Sequence, residues 1–177
     1  LPAVLGLSLP RSTIVDEVIN VLLSARPDAA PKVTTQNCEY RRYRNRIYLL
    51  RTGNRCAPAT EGRINWRQPH SNLILPDGSS LLTKEISSEG LRIDSLTSLE
   101  IGFRNGGERC KPSGRQRSQT LKRLFQESAL EPWWRSSIPL FFHGQEIVAV
   151  GDLWICEGWK ADKGERGLQI RWQVNSL

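Results

Sequence analysis

The hydrophobic positions of this 177-residue chain change their spacing after the first 31 residues. Over residues 12–26 apolar side chains recur every three or four positions, which predicts an amphipathic helix that Pro27 ends. A helix of about three turns is unstable alone in water, so its apolar face requires a packing partner. After Pro31 the period shortens toward two, which is typical of β-strands. The strands predicted here are 32–35, 39–43 and 46–50.

Strand and turn signals continue through the second half of the chain. Turns at 76–78 and 143–144 each separate two apolar runs, and each therefore predicts a β-hairpin. Between these hairpins, helical spacing predicts one helix at about 118–128 with Ser118 as its N-terminal cap. We therefore expect an α+β fold, with a helical segment at the N-terminus followed by mainly antiparallel β-hairpins and one principal helix.

Charge is distributed unevenly along the sequence. The net charge of +7 and the pI near 9.6 favour a polyanionic partner. Residues 38–67 and residues 104–123 each carry a net charge of +6, whereas the rest of the chain sums to −5. Two basic tracts on a mildly acidic body predict contact surfaces. A pair of solvated, charged loops is the simpler alternative.

The side chains within these tracts suggest nucleic acid as the polyanion. In the second tract, Gly106 and Gly107 permit a tight turn, and the cations and helix-start N–H groups that follow suit phosphate oxygens. The candidates there are Arg104, Arg109, Lys111, Arg115, Lys122 and Arg123. In the first tract arginines alternate with tyrosine rings that can stack on bases, which makes Arg41, Arg42 and Arg44 candidates. An ordinary sheet face with packed tyrosines and solvated arginines is the alternative.

No catalytic or metal-binding pattern is recognisable in the sequence. The four cysteines are widely spaced without a C-x-x-C pair, which predicts reduced thiols rather than a zinc site or a disulfide framework. His70 and His143 fall in turn-like contexts, and a Ser118–His143–Asp152 triad would lack the G-x-S-x-G elbow. Because no apolar run reaches 18 residues, we expect no membrane span and a cytoplasmic location.

Residues 107–127 read GERCKPSGRQRSQTLKRLFQE, and EPWWRSSIPLFF and IVAVGDLWICEGW follow them. This ordered string resembles the C-terminal domain of bacterial tRNA(Ile)-lysidine synthases over about 99–159. The upstream stretches ARPDAAP and YRRYRNRIYLL resemble the end of that family's middle domain. The resemblance implies an ATP-dependent enzyme that joins lysine to the wobble cytidine, C34, of the CAU anticodon of tRNA-Ile. It also implies three segments: the end of a helical middle domain at 1–31, an antiparallel β segment with loops at 32–97, and a C-terminal tRNA-binding domain at 98–177.

The Ser-Gly-Gly-x-Asp-Ser loop with which this family binds ATP does not occur in the sequence. We therefore expect ATP and magnesium to act in a catalytic domain missing here, and this chain to be inactive alone. The resemblance implies that it grips the body and acceptor stem of tRNA-Ile through the basic residues above. A catalytic N-terminal domain is a further expected partner, and a homodimer is an option. The alternative is a structural module whose basic tracts dock against other domains or a second subunit, with RNA contact secondary.

Overall fold

The computed structural model of this chain describes residues 12–26, 29–36, 38–51, 62–93 and 98–174. Pro27, which was expected to end the first helix, lies outside the described residues. The chain divides into two compact units. We call residues 1–55, with residue 177, the N-terminal unit, and residues 56–176 the C-terminal unit.

In the N-terminal unit one helix packs on a small sheet. The elements are α1 (Ser12–Ser24), β1 (Lys32–Thr34), β2 (Cys38–Tyr43) and β3 (Arg46–Arg51), and the strands pair antiparallel in the order β1-β2-β3. The amphipathic pattern of α1 buries Val18 and Leu22 against Val33 and Tyr40. The turn between β2 and β3 holds residues 44 and 45 at φ of 46° and 59°, as a two-residue type I′ hairpin requires.

Arg42 on β2 reaches the C-terminal end of α1. Its guanidinium donates hydrogen bonds to the carbonyl oxygens of Leu23 (3.4 Å), Ala25 (2.7 Å) and Arg26 (2.6 Å). The last carbonyls of a helix have no partner within the helix, and the helix dipole favours a cation beside them. Arg42 therefore caps α1 and ties its last turn to the sheet.

The C-terminal unit is built from antiparallel β-strands and one helix. Its elements are β4 (Ile64–Trp66), β5 (Leu73–Ile74), β6 (Ser80–Ser87), β7 (Leu91–Arg92), β8 (Leu99–Gly102), β9 (Arg109–Cys110), β10 (Gln119–Thr120), α2 (Leu121–Glu127), β11 (Leu140–His143), β12 (Glu146–Val150), β13 (Trp154–Ile155) and β14 (Arg166–Gln173). They form a five-stranded sheet in the order β13-β12-β11-β8-β4, a four-stranded sheet in the order β5-β6-β14-β7, and the two-stranded ladder β9-β10. The mainly antiparallel α+β fold is confirmed.

Two hydrophobic clusters form the core of this unit. The first joins the two large sheets and includes Trp66, Leu81, Phe141 and Leu168. The second lies beneath α2, whose residues Leu121, Leu124 and Phe125 are fully buried. The Phe125 ring stacks on Trp154 with centroids 5.6 Å apart. The apolar face of α2 is thus the contact that fixes the end of the second basic tract to the core.

The principal helix is shorter than the sequence predicted. It spans Leu121–Glu127, and its N-cap is Thr120, whose Oγ1 accepts a hydrogen bond from the Arg123 N–H at 3.4 Å. Ser118 was the wrong cap because Gln119 and Thr120 pair with β9 and are therefore extended. The helical spacing of the apolar residues was predicted correctly. The helix nevertheless begins only at Leu121, because the residues just before it pair with a strand about nine residues earlier in the chain.

Strand β4 was not among the strands predicted from the sequence. β4 pairs with β8 at the edge of the five-stranded sheet and buries Trp66. Three residues are too few to show an alternating pattern. β4 lies in the predicted segment 32–97 and β8 in 98–177. The division into three segments remains a prediction. Neither helix of the described chain combines the length and hydrophobicity needed to cross a membrane.

Replacing Phe125 with alanine is expected to destabilise the C-terminal unit by about 3–5 kcal/mol, because the buried ring loses its contacts and leaves a cavity. Urea unfolding followed by tryptophan fluorescence measures the change. Lys122→Ala is the matched control, since Lys122 lies exposed on the same helix and alanine suits helices. Equal stability of the two variants would contradict the burial of Phe125.

Arg42→Ala is expected to release the last turn of α1. Loss of three charge-assisted hydrogen bonds should cost about 1–2 kcal/mol and speed amide exchange at the C-terminal end of the helix. Hydrogen-exchange NMR reads this change residue by residue. Arg46→Ala, at an exposed position on β3, should leave these amides unchanged. Unaltered exchange in the Arg42 variant would show that the helix end does not depend on the guanidinium.

Candidate nucleic-acid interface

The candidate basic residues of the C-terminal unit lie on one stretch that runs from the end of β8 into α2, which we call the basic segment (residues 104–123). Two short strands within it pair with each other, because Arg109–Cys110 and Gln119–Thr120 form the β9-β10 ladder. The loop between these strands is fixed to the body of the unit. The Lys111 carbonyl accepts from the Glu157 N–H at 2.7 Å, and the Ser113 N–H donates to the Ile155 carbonyl at 2.9 Å. The segment is therefore a shaped surface rather than a loose charged loop.

One carboxylate shapes the start of the segment. Glu108 Oε1 accepts hydrogen bonds from the backbone N–H groups of Asn105 and Gly106, the latter at 2.7 Å. Its Oε2 lies 3.7 Å from Nε of Arg104. Gly106 and Gly107 have φ of +111° and +85°, so the predicted glycine turn is present. Arg104 is consequently held against Glu108.

A second carboxylate gathers two arginines at the other end. Arg115 Nη1 donates to Oε2 of Glu127 at 2.6 Å, and Arg123 Nε donates to Oε1 at 2.9 Å. These hydrogen bonds, first from Arg115 and then from Arg123, hold the pKa of the Glu127 carboxyl below its ordinary value. Sequence reasoning did not identify Glu127. The i, i+4 spacing of Arg123 and Glu127 was a readable signal, whereas the link to Arg115, twelve residues away, was not.

The remaining candidates of the segment have fewer partners. Arg109 is exposed and donates to the Ser118 carbonyl at 2.9 Å. Lys122 is exposed and Lys111 half-buried, and neither forms a salt bridge with any described residue. Two helix-start N–H groups are already occupied, since Leu121 donates to the Glu108 carbonyl and Arg123 to Thr120. Side chains, rather than the start of α2, therefore offer the positive charge.

A cavity of about 490 Å³ opens beside the segment. Arg109, Lys111 and Glu157 line it together with the buried thiols of Cys110 and Cys156. The Cys156 thiol lowers the pKa of Cys110, while the Cys110 thiol and then burial raise that of Cys156. Both are free cysteines, as is Cys38 in the N-terminal unit, and Cys56 lies outside the described residues. No cluster of three metal-ligating side chains occurs among the described residues.

The arginines of the first tract are placed on β2 and the turn that follows it. Arg41 pairs with Glu39, a carboxylate that is only 3% exposed. Arg42 caps α1, as described above. Arg44 is exposed on the turn, with its guanidinium 5.7 Å from the centre of the Tyr43 ring. Tyr40 is buried in the core, and burial raises the pKa of its hydroxyl, so it does not offer a ring for base stacking.

Both histidines of the chain lie at the surface of the C-terminal unit. His70 Nδ1 lies 3.3 Å from Oε1 of Glu85, and His143 packs its ring 5.2 Å from that of Trp159. Both are exposed, and Trp159 thus has a packing role in the unit.

Comparison with known proteins identifies both units. A family model described as "TilS substrate binding domain" matches residues 3–48, and one described as "TilS substrate C-terminal domain" matches residues 99–172. The tRNA(Ile)-lysidine synthase of Coxiella burnetii is 31% identical over 95% of this chain and 37% of its own length. That of Xylella fastidiosa is 35% identical over 88% of this chain and 35% of its own length. That of Xanthomonas campestris is 35% identical over 74% of this chain and 28% of its own length.

The chain spans about a third of the length of these curated relatives. The two matched domain models lie in the same order as the two units of the structure, one in each. The chain therefore belongs to the tRNA(Ile)-lysidine synthase family and carries its substrate-binding and C-terminal domains.

Proposed function

We propose that this chain is the tRNA-recognising part of a ligase that joins lysine to C34 in the CAU anticodon of tRNA-Ile. In this proposal the chain grips the body and acceptor stem of a cytoplasmic tRNA-Ile. ATP and magnesium act on the cytidine in a catalytic domain that carries the Ser-Gly-Gly-x-Asp-Ser loop. That signature does not occur in the 177 residues, so we expect this chain alone to bind tRNA without modifying it.

The observation that carries the proposal is the concentration of cations on the anchored basic segment. Seven basic residues and one acid lie between positions 104 and 123, and Lys111 and Lys122 form no salt bridge with a described residue. A-form RNA is recognised mainly by its shape and by phosphate and 2′-hydroxyl contacts, which need fixed cations rather than a base-reading groove. A loop held by backbone hydrogen bonds at Lys111 and Ser113 can present cations at fixed spacing.

The side chains differ in what they can contribute to RNA binding. Lys111, Lys122 and Arg109 offer charge at little cost, since none of them forms a salt bridge with a carboxylate in the described part of the chain. Glu108 holds Arg104, and Glu127 holds Arg115 and Arg123. An RNA phosphate must therefore share these arginines with the carboxylate or displace it. In the N-terminal unit we propose Arg44 as the RNA contact, with Arg41 and Arg42 supporting the sheet that presents it.

A docking function is the second candidate, and α1 gives a specific reason for it. Val15, Ile19 and Leu23 recur every four residues on its outer side and are 40%, 44% and 59% exposed. An apolar stripe of this kind suits another domain or a second copy of the chain rather than RNA. Docking and tRNA binding use different residues, and both can hold in one protein.

The discriminating experiment is a salt titration of this chain with an unmodified tRNA-Ile transcript that bears a CAU anticodon. An elongator methionine tRNA with the same anticodon is the comparison. If Z phosphates are neutralised, log K should fall with log[salt] at a slope of about −0.7Z to −0.9Z. We expect micromolar or tighter binding, a steep slope and a preference for tRNA-Ile. Equal binding would assign discrimination to another domain, and no binding at low salt would favour docking through the basic tracts themselves.

Lys111→Ala and Lys122→Ala should each weaken tRNA binding by about 1 kcal/mol, or about fivefold in Kd. Each lost phosphate contact should also flatten the salt slope by roughly one unit. Filter binding at several salt concentrations measures both quantities. Lys163→Ala is the control, because Lys163 is exposed on the same unit outside the basic segment. If all three variants bind equally, the segment is not the tRNA-binding surface.

A further inference from the structure

We propose that Arg115, Arg123 and Glu127 form a single RNA-phosphate site in which the Glu127 carboxylate occupies the place of the phosphate until RNA displaces it. This inference rests on the proposed function, and it assigns a role to an acidic residue within a basic surface.

The geometry of the three side chains suits an exchange of anions. Arg115 from the loop and Arg123 from α2 approach the carboxylate from different elements, and each binds a different oxygen, at 2.6 Å and 2.9 Å. Guanidinium groups bind carboxylates and phosphates through the same N–H···O contacts. Two guanidiniums that converge on the two oxygens of a carboxylate are therefore already placed to bind two oxygens of a phosphate.

The site is open enough for this exchange to occur without unfolding. The exposed fractions of the side chains are 41% for Arg115, 69% for Arg123 and 34% for Glu127. A phosphate that entered would thus meet two guanidiniums and displace one carboxylate.

The position of Glu127 on its helix also favours release. Glu127 is the last residue of α2, and α2 has no basic residue in its last turn. The negative end of the helix dipole disfavours a carboxylate there, so the two arginines are its principal stabilising contacts. When the arginines turn to a phosphate, the carboxylate can move into solvent.

This arrangement would have one main consequence for the protein. In the absence of RNA, Glu127 neutralises part of the positive charge of Arg115 and Arg123, so a phosphate must compete with the carboxylate for both guanidiniums. Removal of the carboxylate should therefore tighten RNA binding, whereas a residue that only positions the arginines would weaken binding when removed.

The test compares Kd and salt slope for tRNA-Ile between the wild-type chain and Glu127→Gln. We expect binding about threefold to tenfold tighter at low salt with an unchanged slope, because the same two guanidiniums meet the phosphate in both chains and only the competing carboxylate is removed. Glu131→Gln is the matched control, since it removes the same charge four residues further on and Glu131 forms no salt bridge with Arg115 or Arg123. It should change Kd by less than about twofold.

A double variant separates a local exchange from a general change of charge. In the Arg115→Ala background, Glu127→Gln should lose most of its gain in affinity, because the exchanged phosphate then has one guanidinium fewer. Carbonyl-carbon NMR of Glu127 gives an independent measurement. Its pKa should rise from its depressed value when tRNA binds, since the arginines leave the carboxylate and a phosphate approaches.

Each contrary result identifies the failing proposal. If the wild-type chain binds tRNA but Glu127→Gln binds equally or more weakly, Glu127 only positions the arginines and this inference is wrong. A gain that persists in the Arg115→Ala background would likewise overturn it. If the wild-type chain does not bind tRNA even at low salt, the proposed function fails, and this inference fails with it.

Discussion

Mutual repulsion among the cations of residues 104–123 is the constraint on which the arrangement of the C-terminal unit depends. Like charges near a protein surface repel, so a stretch with seven cations and one acid is costly to hold in a single conformation. The fold counters this repulsion mainly with backbone contacts. The β9-β10 ladder closes the loop, and the hydrogen bonds at Lys111 and Ser113 fix it to neighbouring chain. Glu108 and Glu127 then neutralise the arginines at its two ends.

The N-terminal unit manages positive charge in a related way. Arg42 is satisfied by carbonyl oxygens at the end of α1, and Arg41 by the buried carboxylate of Glu39. Such contacts give an arginine a structural role, although it still counts as a positive charge in the composition of the chain. Basic composition alone therefore cannot distinguish an arginine that supports a surface from one that binds a ligand there. The three-dimensional partners of each guanidinium make that distinction.

Local patterns in the sequence predicted most of the fold. The period of 3.6 identified α1, alternation identified β1, β2 and β3, and the turn residues at 76–78 and 143–144 identified two hairpins. Distant pairing was not predictable. The contact of residues 119–120 with 109–110 shortened α2, and the pairing of β4 with β8 gave a strand where no periodic signal existed. The candidate site was also predictable only in part. Its cations were evident in the sequence, but their partners were not, because the partner lies twelve residues away for Arg115 and nineteen for Arg42.

The place of β14 in the four-stranded sheet sets the order in which the C-terminal unit can be completed. β14 is the last strand in the described chain, yet it lies between β6 and β7 and pairs with both. β6 and β7 therefore cannot become part of one sheet until residues 166–173 are available. A nascent chain that emerges from the ribosome therefore exposes the inner face of β6, including Leu81, until residues 166–173 have been translated. Contacts that join residues some eighty positions apart also slow folding. The unit that displays the basic segment is thus assembled late, after its final strand has been translated.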